Sequence, residues 1–348
     1  MNKVTIKNSG HSFDVRPSQT VLQAAIDTGI NLPYGCRNGA CGSCKAKLVS
    51  GKVMHNDYQS SAMSDAELAA GNTLLCCAMA LEDLEIECRE VGGLAGIKPR
   101  ILPARVAKKE QLAHDVIALH LQLPASERLQ FKAGQYIEFI LKDGQRRAFS
   151  IANAPHDAEF IQLHIRIING GVFSEYAANE LQEKAILRIE APFGNFFLRE
   201  DSNKPLIMVA GGTGFAPVKG IIEHILHNNI QRDIVLYRGA RQLQDLYMHA
   251  LCEKWAEMLP NITYIPVLSQ PDSDNWQGRT GYVHEAVLAD VISKNMDLSD
   301  YQAYVCGAPA MCEAAHSSFV QQGLNADEFF SDAFTFAAAS NKSVATLA

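Results

Sequence analysis

Four cysteines in this sequence have the spacing of ligands to an iron–sulfur cluster. Cys36, Cys41 and Cys44 follow a C-x4-C-x2-C pattern on one short segment, and Cys76 comes much later. This is the ligand spacing of a plant-type 2Fe–2S ferredoxin. Glycines in and beside the segment allow the backbone to fold closely around a cluster. The sequence therefore predicts a 2Fe–2S centre held by these four thiolates.

Other uses of the cysteines are also open. Cys77 directly follows Cys76 and could serve as the fourth ligand instead. A zinc site is an alternative, but structural zinc sites favour paired C-x2-4-C knuckles. Disulfides would leave one of the nine cysteines unpaired, and no secretory signal opens the sequence. We expect Cys88, Cys252 and Cys312 to be ordinary buried side chains.

Basic side chains surround the predicted cluster loop. The sequence between Asp27 and Asp57 contains no acidic residue, whereas it contains Arg37, Lys45, Lys47 and Lys52. This pattern is typical of an ordinary solvated face and equally of a docking face for an acidic redox partner. The sequence alone leaves both interpretations open.

Length and composition indicate a globular protein with several domains. The 348 residues, 47% of them hydrophobic, can form two or three packed cores. No apolar run approaches the ~20 residues of a membrane span. The net charge of −7 argues against non-specific binding to nucleic acid. We expect a cytoplasmic protein, because reduced thiols suit cluster assembly.

Changes in residue pattern divide the chain into regions. Residues 1–90 contain short strands around one helix, with a hairpin predicted from Lys45 to Val53. Residues 91–99 are glycine-rich and are predicted to form a linker. Residues 100–199 have the strand spacing of an antiparallel barrel. Residues 200–336 alternate strands and helices, which predicts a doubly wound parallel sheet, and 337–348 are predicted to be a frayed tail.

Two turns in the region 200–336 indicate a dinucleotide site. Gly211-Gly212-Thr213-Gly214 directly follows an apolar strand, and Pro217 suits the first turn of the next helix. Cys306-Gly307-Ala308-Pro309 follows a later strand, at the edge where open α/β sheets bind ligands. Either turn alone could be purely structural, but two on one sheet favour a nucleotide.

The barrel region contains a second set of residues suited to a nucleotide. Arg147, Phe149 and Ser150 offer a guanidinium for a phosphate, a ring for stacking and a hydroxyl for a flavin edge. Gly171 and Ser174 lie at a predicted helix N-terminus that could bind a second phosphate. Taken alone, these would be a basic turn, a core ring and a helix cap.

Together these motifs resemble a known family. Across roughly residues 1–336 the chain is similar to bacterial reductases that join a plant-type ferredoxin to a ferredoxin–NADP reductase-like flavin and NAD module. The strings GQYIEF, SIANAPH, GNFFLRED, GGTGFAPVK and SDAF most resemble the CDP-6-deoxy-Δ3,4-glucoseen reductase branch. Reductases of aromatic-ring oxygenases, phenol hydroxylase and toluene monooxygenase share the layout less closely. The resemblance implies an α+β (β-grasp) ferredoxin domain, an antiparallel β-barrel flavin domain and an α/β doubly wound nicotinamide domain.

The resemblance also implies roles for residues at the flavin. The family's Arg-x-Tyr-Ser is represented by Arg147, Ala148, Phe149 and Ser150, and the missing tyrosine hydroxyl puts one hydrogen bond to the ribityl chain in doubt. Ser150 would approach flavin N5. The FAD pyrophosphate would be bound by Gly171, Val172 and Ser174, with Arg166 beside it.

For the nicotinamide, the resemblance implies binding by the two glycine-rich turns, comprising Gly211, Gly212, Thr213, Gly214 and Gly307. Cys306 would lie near the nicotinamide, and Phe334 would stack over the flavin. Arg238 and Arg241 could meet the 2′-phosphate of NADPH, although we favour NADH.

The implied function is electron transfer from NAD(P)H through FAD to the cluster and on to a partner protein. The implied acceptor is a deoxysugar dehydrase, or alternatively an oxygenase component. It would dock on the basic face near Arg37, Lys45 and Lys47. A carrier of another class, with ferredoxin chemistry and no reductase activity of its own, is also open.

Overall fold

The computed structural model describes residues 1–157, 159–271 and 276–335. Within these ranges the backbone forms three main sheets and one two-stranded ribbon. The tail predicted for 337–348 lies outside them. In the described part of the chain, no helix is both long enough and apolar enough to cross a membrane.

The first sheet and its helices carry the predicted cluster ligands. The elements are β1 (Asn2–Ile6), β2 (Ser12–Val15), α1 (Val21–Thr28), β3 (Lys45–Ser50), β4 (Val53–His55), α2 (Asp65–Ala69), β5 (Asn72–Leu74), β6 (Ala78–Ala80) and β7 (Leu84–Glu87). The strand order is β2-β1-β7-β3-β5, with β1 and β7 parallel and the other neighbours antiparallel. Helix α1 begins after Thr20, whose hydroxyl accepts from the Gln23 amide, and ends at Gly29, where φ is 83°. This α+β arrangement is the expected ferredoxin architecture.

The hairpin predicted between Lys45 and Val53 is wrong. Strand β3 has β5 on one edge and β7 on the other, so neither edge is free for the segment that follows it. That segment forms β4 and pairs with β6 in the separate ribbon.

The second sheet is the predicted antiparallel barrel. Its elements are β8 (Arg100–Ala113), β9 (Val116–Gln122), β10 (Tyr136–Ile140), β11 (Arg146–Ser150), β12 (Ile161–Arg166), α3 (Val172–Asn179) and β13 (Ile186–Phe193). The strands are ordered β11-β10-β13-β8-β9-β12. An antiparallel bridge between Ile151 and Leu163 connects the two ends and closes the barrel.

The third sheet is parallel throughout and has helices on both faces. Its elements are β14 (Leu206–Gly211), α4 (Phe215–His227), β15 (Ile234–Ala240), α5 (His249–Met258), β16 (Ile262–Leu268), β17 (Arg279–Thr280), α6 (Val283–Ser293), β18 (Gln302–Gly307), α7 (Pro309–Gln321) and β19 (Phe329–Ala333). The order is β17-β16-β15-β14-β18-β19. The chain reverses its direction of winding between β14 and β18, which is the point where such sheets bind ligands.

The first module and the barrel share part of one hydrophobic core. Tyr136 of β10 and Phe193 of β13 pack into the cluster formed by the strands and α1 of the first module. In the predicted linker, Leu94 is buried and the Val91 amide donates to the Asn31 carbonyl at 2.8 Å. The linker is therefore packed onto the protein body along part of its length.

Candidate active site

One large cleft lies where the three modules meet. Its volume is about 1640 Å³, well above the roughly 300–1,000 Å³ typical of a pocket for one small ligand. Its walls include 35–38 of the cysteine loop, 145–150 at β11, 168–174 before and within α3, 211–213 after β14, 239–241 at the end of β15, 281–284 at the start of α6, 307–311 after β18, and 332–335. The cysteine loop, the barrel and the parallel sheet thus open onto one space.

The four predicted ligands form two pairs of thiols. Cys36 lies next to Cys41, and Cys44 next to Cys76, closely enough for the two thiols of each pair to influence each other's ionisation. The neighbouring Cys36 lowers the pKa of Cys41, and the neighbouring Cys44 lowers the pKa of Cys76. Backbone amides also point at sulfur, since the Ala40 amide donates to Cys36 Sγ at 3.3 Å. Two pairs of thiolates suit two irons, each completed by the bridging sulfides.

The alternative fourth ligand, Cys77, lies beside Cys76. Cys77 Sγ lies 3.6 Å from Cys76 Sγ but is directed at the Asp57 carbonyl, 3.7 Å away. The pairing of Cys44 with Cys76 therefore favours Cys76 over Cys77 as the fourth ligand.

The barrel side of the cleft combines a strand end with a helix N-terminus. Arg147, Ala148, Phe149 and Ser150 all line the cleft from β11. The Phe149 ring lies 5.2 Å from Phe173 and 5.7 Å from Phe139, measured between centroids.

Helix α3 begins on this wall after Gly171, which has no side-chain cap, so its first amides are free of side-chain partners. A Cβ at Gly171 would lie 2.9 Å from the Ile168 carbonyl oxygen. The absence of a side chain there leaves this end of α3 open to a phosphate.

The sheet side of the cleft brings together the ends of β14 and β18. Gly212 has φ 54°, and a Cβ there would lie 2.8 Å from Arg166 Nη1. Arg166 is held from behind by Asp115, with Nε 2.9 Å from Oδ2. A Cβ at Gly307 would lie 3.2 Å from the Gly211 Cα. These glycines bring the two strand ends together and expose backbone to the cleft.

An acidic side chain lies between the two sides. Asp332 of β19 lines the cleft, and its Oδ2 accepts from the Ser150 hydroxyl at 3.4 Å. Burial raises the pKa of this carboxyl to about 7, and the nearby Cys41 adds to the effect. Two residues on, the Phe334 amide donates to the Gly307 carbonyl at 2.8 Å, which fixes the chain over the cleft.

Sequence comparison divides the chain in the same way as the three sheets. Residues 4–81 match the 2Fe-2S iron-sulfur cluster binding domain, 103–198 the oxidoreductase FAD-binding domain and 208–317 the oxidoreductase NAD-binding domain. The CDP-6-deoxy-L-threo-D-glycero-4-hexulose-3-dehydrase reductase of Yersinia pestis is 42% identical over 331 residues, covering 95% of this chain and 98% of the relative.

Relatives that serve other systems are also similar along the whole chain. Reductase component 2 of terephthalate 1,2-dioxygenase from Comamonas sp is 34% identical over 333 residues, covering 96% of this chain and 97% of the relative. The Amycolatopsis cytochrome P450 reductase GcoB, known from a crystal structure, is 31% identical in sequence to this chain. Its structure superimposes with a TM-score of 0.81, covering 97% of this chain and 99% of that one.

The chain belongs to this family of iron–sulfur flavoprotein reductases. It carries electrons from NAD(P)H through FAD to a 2Fe–2S cluster and on to a partner enzyme, and the alternative of a carrier without reductase activity is wrong. When bound, the nicotinamide supplies a hydride, FAD converts two-electron into one-electron transfer, and the cluster accepts single electrons.

The reductase's own residues bind and orient these groups. Uncapped helix ends and glycine turns can bind pyrophosphates, because amides without side-chain partners face the cleft at α3 and at α7, which begins at Pro309. The Ser150 hydroxyl donates its proton to the Asp332 carboxyl in a hydrogen bond on the cleft wall. No general acid–base triad is needed for hydride transfer.

The structure brings most of the predicted site residues together. Thirteen of the predicted cofactor-binding residues line the cleft: Arg147, Ala148, Phe149, Ser150, Arg166, Gly171, Val172, Ser174, Gly211, Gly212, Thr213, Gly307 and Phe334. Gly214 and Cys306 do not line it. Cys306 is fully buried, and burial raises the pKa of its thiol well above the ordinary value. Gly214 packs against the Cys306 backbone behind the cleft wall.

Two arginines have different roles from those predicted. Arg238 is 1% exposed, donates to the Tyr247 carbonyl at 2.7 Å and lies 3.8 Å from the Phe215 ring centroid. It therefore cannot meet a 2′-phosphate, whereas Arg241 does line the cleft. Arg37 does not belong to a docking face, because its side chain is only 15% exposed and is paired with Glu138.

Sequence reasoning missed Asp332 as a site residue. The SDAF string contains Asp332, but the sequence predicted a role only for Phe334. The signal available was a carboxylate two residues before that phenylalanine, on a strand too short and too mixed in polarity to be predicted.

Proposed function

We propose that the partner of this reductase is a dehydrase that acts on a CDP-linked 6-deoxyhexulose. The observation that supports this choice is the identity of 42% along nearly the whole chain to a reductase named for such a dehydrase. The oxygenase reductase of comparable coverage is 34% identical. An oxygenase component is therefore the second candidate acceptor.

A reconstituted assay tests the choice of partner. The reductase, NADH, a purified dehydrase of this class and its CDP-sugar substrate are mixed without oxygen, and sugar product is measured. We expect turnover that requires the reductase, and no turnover with the Cys76→Ser variant. If the flavin and cluster are reduced normally but the dehydrase forms no product, while an oxygenase component reoxidises the cluster, the partner is an oxygenase.

We also propose the cofactor assignments of the individual residues. Contacts to FAD would come from the β11 segment, Arg166 and the start of α3, and contacts to NAD(P)H from the turns after β14 and β18. Their common exposure to one cleft supports this. We propose Cys306 and Gly214 as residues that shape the nicotinamide site from behind the wall, since both are buried there. The cluster ligands would be Cys36, Cys41, Cys44 and Cys76.

The domain limits and the docking face are proposals as well. We place the ferredoxin domain at 1–90, the linker at 91–99, the flavin domain at 100–199 and the nicotinamide domain at 200–336, in a cytoplasmic protein. Lys45 and Lys47 are the proposed contacts for an acidic partner. Both ammonium groups already have a partner within the chain, because Lys45 Nζ lies 2.5 Å from Glu67 Oε1 and Lys47 donates to the Ala70 carbonyl.

A further inference from the structure

Arg37 follows the first cysteine of the cluster loop and is directed away from solvent, into the barrel. It has φ 61°, a left-handed conformation that non-glycine residues seldom adopt. One guanidinium nitrogen lies 3.1 Å from Glu138 Oε2, and another donates to Gln23 Oε1 at 2.8 Å. The guanidinium carbon is 4.0 Å from the centroid of the Phe193 ring. One side chain thus connects the cluster loop with α1 and with two barrel strands.

Hydrogen bonds from the residues just before Cys36 connect the same two surfaces. The Tyr136 hydroxyl donates to the Gly35 carbonyl at 2.8 Å. The Gly194 amide donates to the Tyr34 hydroxyl at 3.0 Å, and the Tyr34 amide donates to Asn195 Oδ1 at 2.8 Å. Both tyrosines are buried. The contact is therefore specific and built from the residues next to Cys36.

The charged side chains at this contact form a row in which arginines and glutamates alternate. Glu138, 7% exposed, lies 2.9 Å from Arg146 as well as next to Arg37, and Arg146 also pairs with Glu190. Charges buried in this way are weakly screened by salt. Removing Arg37 would leave Glu138 with Arg146 as its remaining partner.

We propose that Arg37 is a positioning residue that fixes the ferredoxin module on the flavin barrel. In this arrangement electrons cross inside a fixed assembly, and the module does not swing on the 91–99 linker to deliver them. The inference does not depend on which partner accepts the electron. It concerns where the cluster loop is held and leaves the chemistry of the cluster unchanged.

The test compares Arg37→Gln and Glu138→Gln with Lys45→Gln in the complete, cofactor-loaded protein. Glu138→Gln removes the same pair from the barrel side and leaves the cluster loop sequence intact, so it remains informative if Arg37→Gln fails to assemble a cluster. Lys45→Gln breaks a different ion pair of the same module, with Glu67, and does not involve the barrel. Amide hydrogen exchange at 34–38 and 193–195 is measured, together with protease cleavage in 91–99.

We expect both pair-breaking variants to exchange at least tenfold faster at 34–38 and 193–195 and to be cut faster in the linker. The electron paramagnetic resonance spectrum of the reduced cluster in Glu138→Gln should match that of the unchanged protein. The ratio of cytochrome c to ferricyanide reduction should fall in the same variants. In the unchanged protein, flavin-to-cluster transfer should be insensitive to salt from roughly 0.05 to 0.5 M.

Three results would overturn the proposal. The first is amide exchange and linker cleavage in Glu138→Gln at the rates of the unchanged protein. The second is a loss of exchange protection in Lys45→Gln as large as that in the pair-breaking variants. Internal transfer that slows with added salt or viscosity would show a module that moves between two positions.

Discussion

Gly214 is the residue where a single added methyl group should do most damage to the nicotinamide sheet. A Cβ at Gly214 would lie 2.5 Å from the Cys306 carbonyl carbon, 2.9 Å from the Gly307 nitrogen and closer still to the Cys306 oxygen. All three are backbone atoms at the end of β18, so no side-chain rotation can relieve the clash. The backbone at Gly214 has φ −57°, which alanine adopts freely, so the cost of Gly214→Ala is purely steric.

Gly211 provides a matched comparison three residues earlier. A Cβ there would lie 2.7 Å from Met311 Sδ, the far part of a flexible side chain that is only partly buried. Methionine can rotate away at small cost. Its φ of −104° also suits alanine, which lowers the entropy of the unfolded chain. Gly211→Ala should therefore change stability by less than about 1 kcal/mol.

For Gly214→Ala the strand end must shift within a packed core, and we expect a loss of about 3 kcal/mol, at the upper end for overpacking. At roughly 2–4 °C per kcal/mol, the melting temperature should fall by about 6–12 °C. Thermal unfolding of the holoenzyme, followed by circular dichroism, measures both variants. The reasoning is refuted if Gly214→Ala has the same melting temperature as the unchanged protein, or if Gly211→Ala lowers the melting temperature by as much as Gly214→Ala does.

Four further substitutions test other parts of the site. Cys76→Ser should abolish the electron paramagnetic resonance signal of the reduced cluster but keep NADH-to-ferricyanide activity. Cys77→Ser should keep both the signal and the activity. If the cluster is lost only in Cys77→Ser, the assignment of the fourth ligand is reversed. Ser150→Ala should slow flavin reduction by NADH about tenfold, which corresponds to roughly 1.4 kcal/mol of activation free energy, while the FAD content stays unchanged. Stopped-flow absorbance measures the rate, and an unchanged rate or the release of free flavin would contradict this prediction. Because burial raises the pKa of Asp332 from 3.8 to about 7, the folded protein keeps a proton that the unfolded chain has released, and stability falls as pH rises through that window. Asp332→Asn should therefore stabilise the protein by roughly 2–4 kcal/mol at pH 8 but hardly at all below pH 4, and denaturant melts giving equal gains at both pH values would contradict the assignment.

Local patterns in the sequence predicted much of this molecule. The cysteine spacing, the glycine turns at Gly211 and Gly307 and the six barrel strands are all signals carried by neighbouring residues. The β3–β4 hairpin failed because strand pairing depends on which edges are free, and distant strands decide that.

The residues that were misplaced are those whose partners are far away in the chain. Arg37 and Glu138 are 101 positions apart, so no local pattern could show that the arginine is buried. Asp332 reaches Ser150 across 182 positions from an edge strand of five residues. The position of Cys306 near the nicotinamide stays a prediction from the resemblance, and the burial of its side chain depends on how β18 packs behind the turn.

The cleft described above has one wall made of cysteine loop, at Gly35 to Asn38, and another made of β11. Two prosthetic groups whose binding orders the same segment of chain are linked in their binding equilibria. If loading the cluster orders that loop, it raises the affinity for FAD by the same factor by which bound FAD raises the affinity for the cluster. A chain starved of iron, like Cys76→Ser, should then keep its flavin but bind it more weakly than the complete protein does.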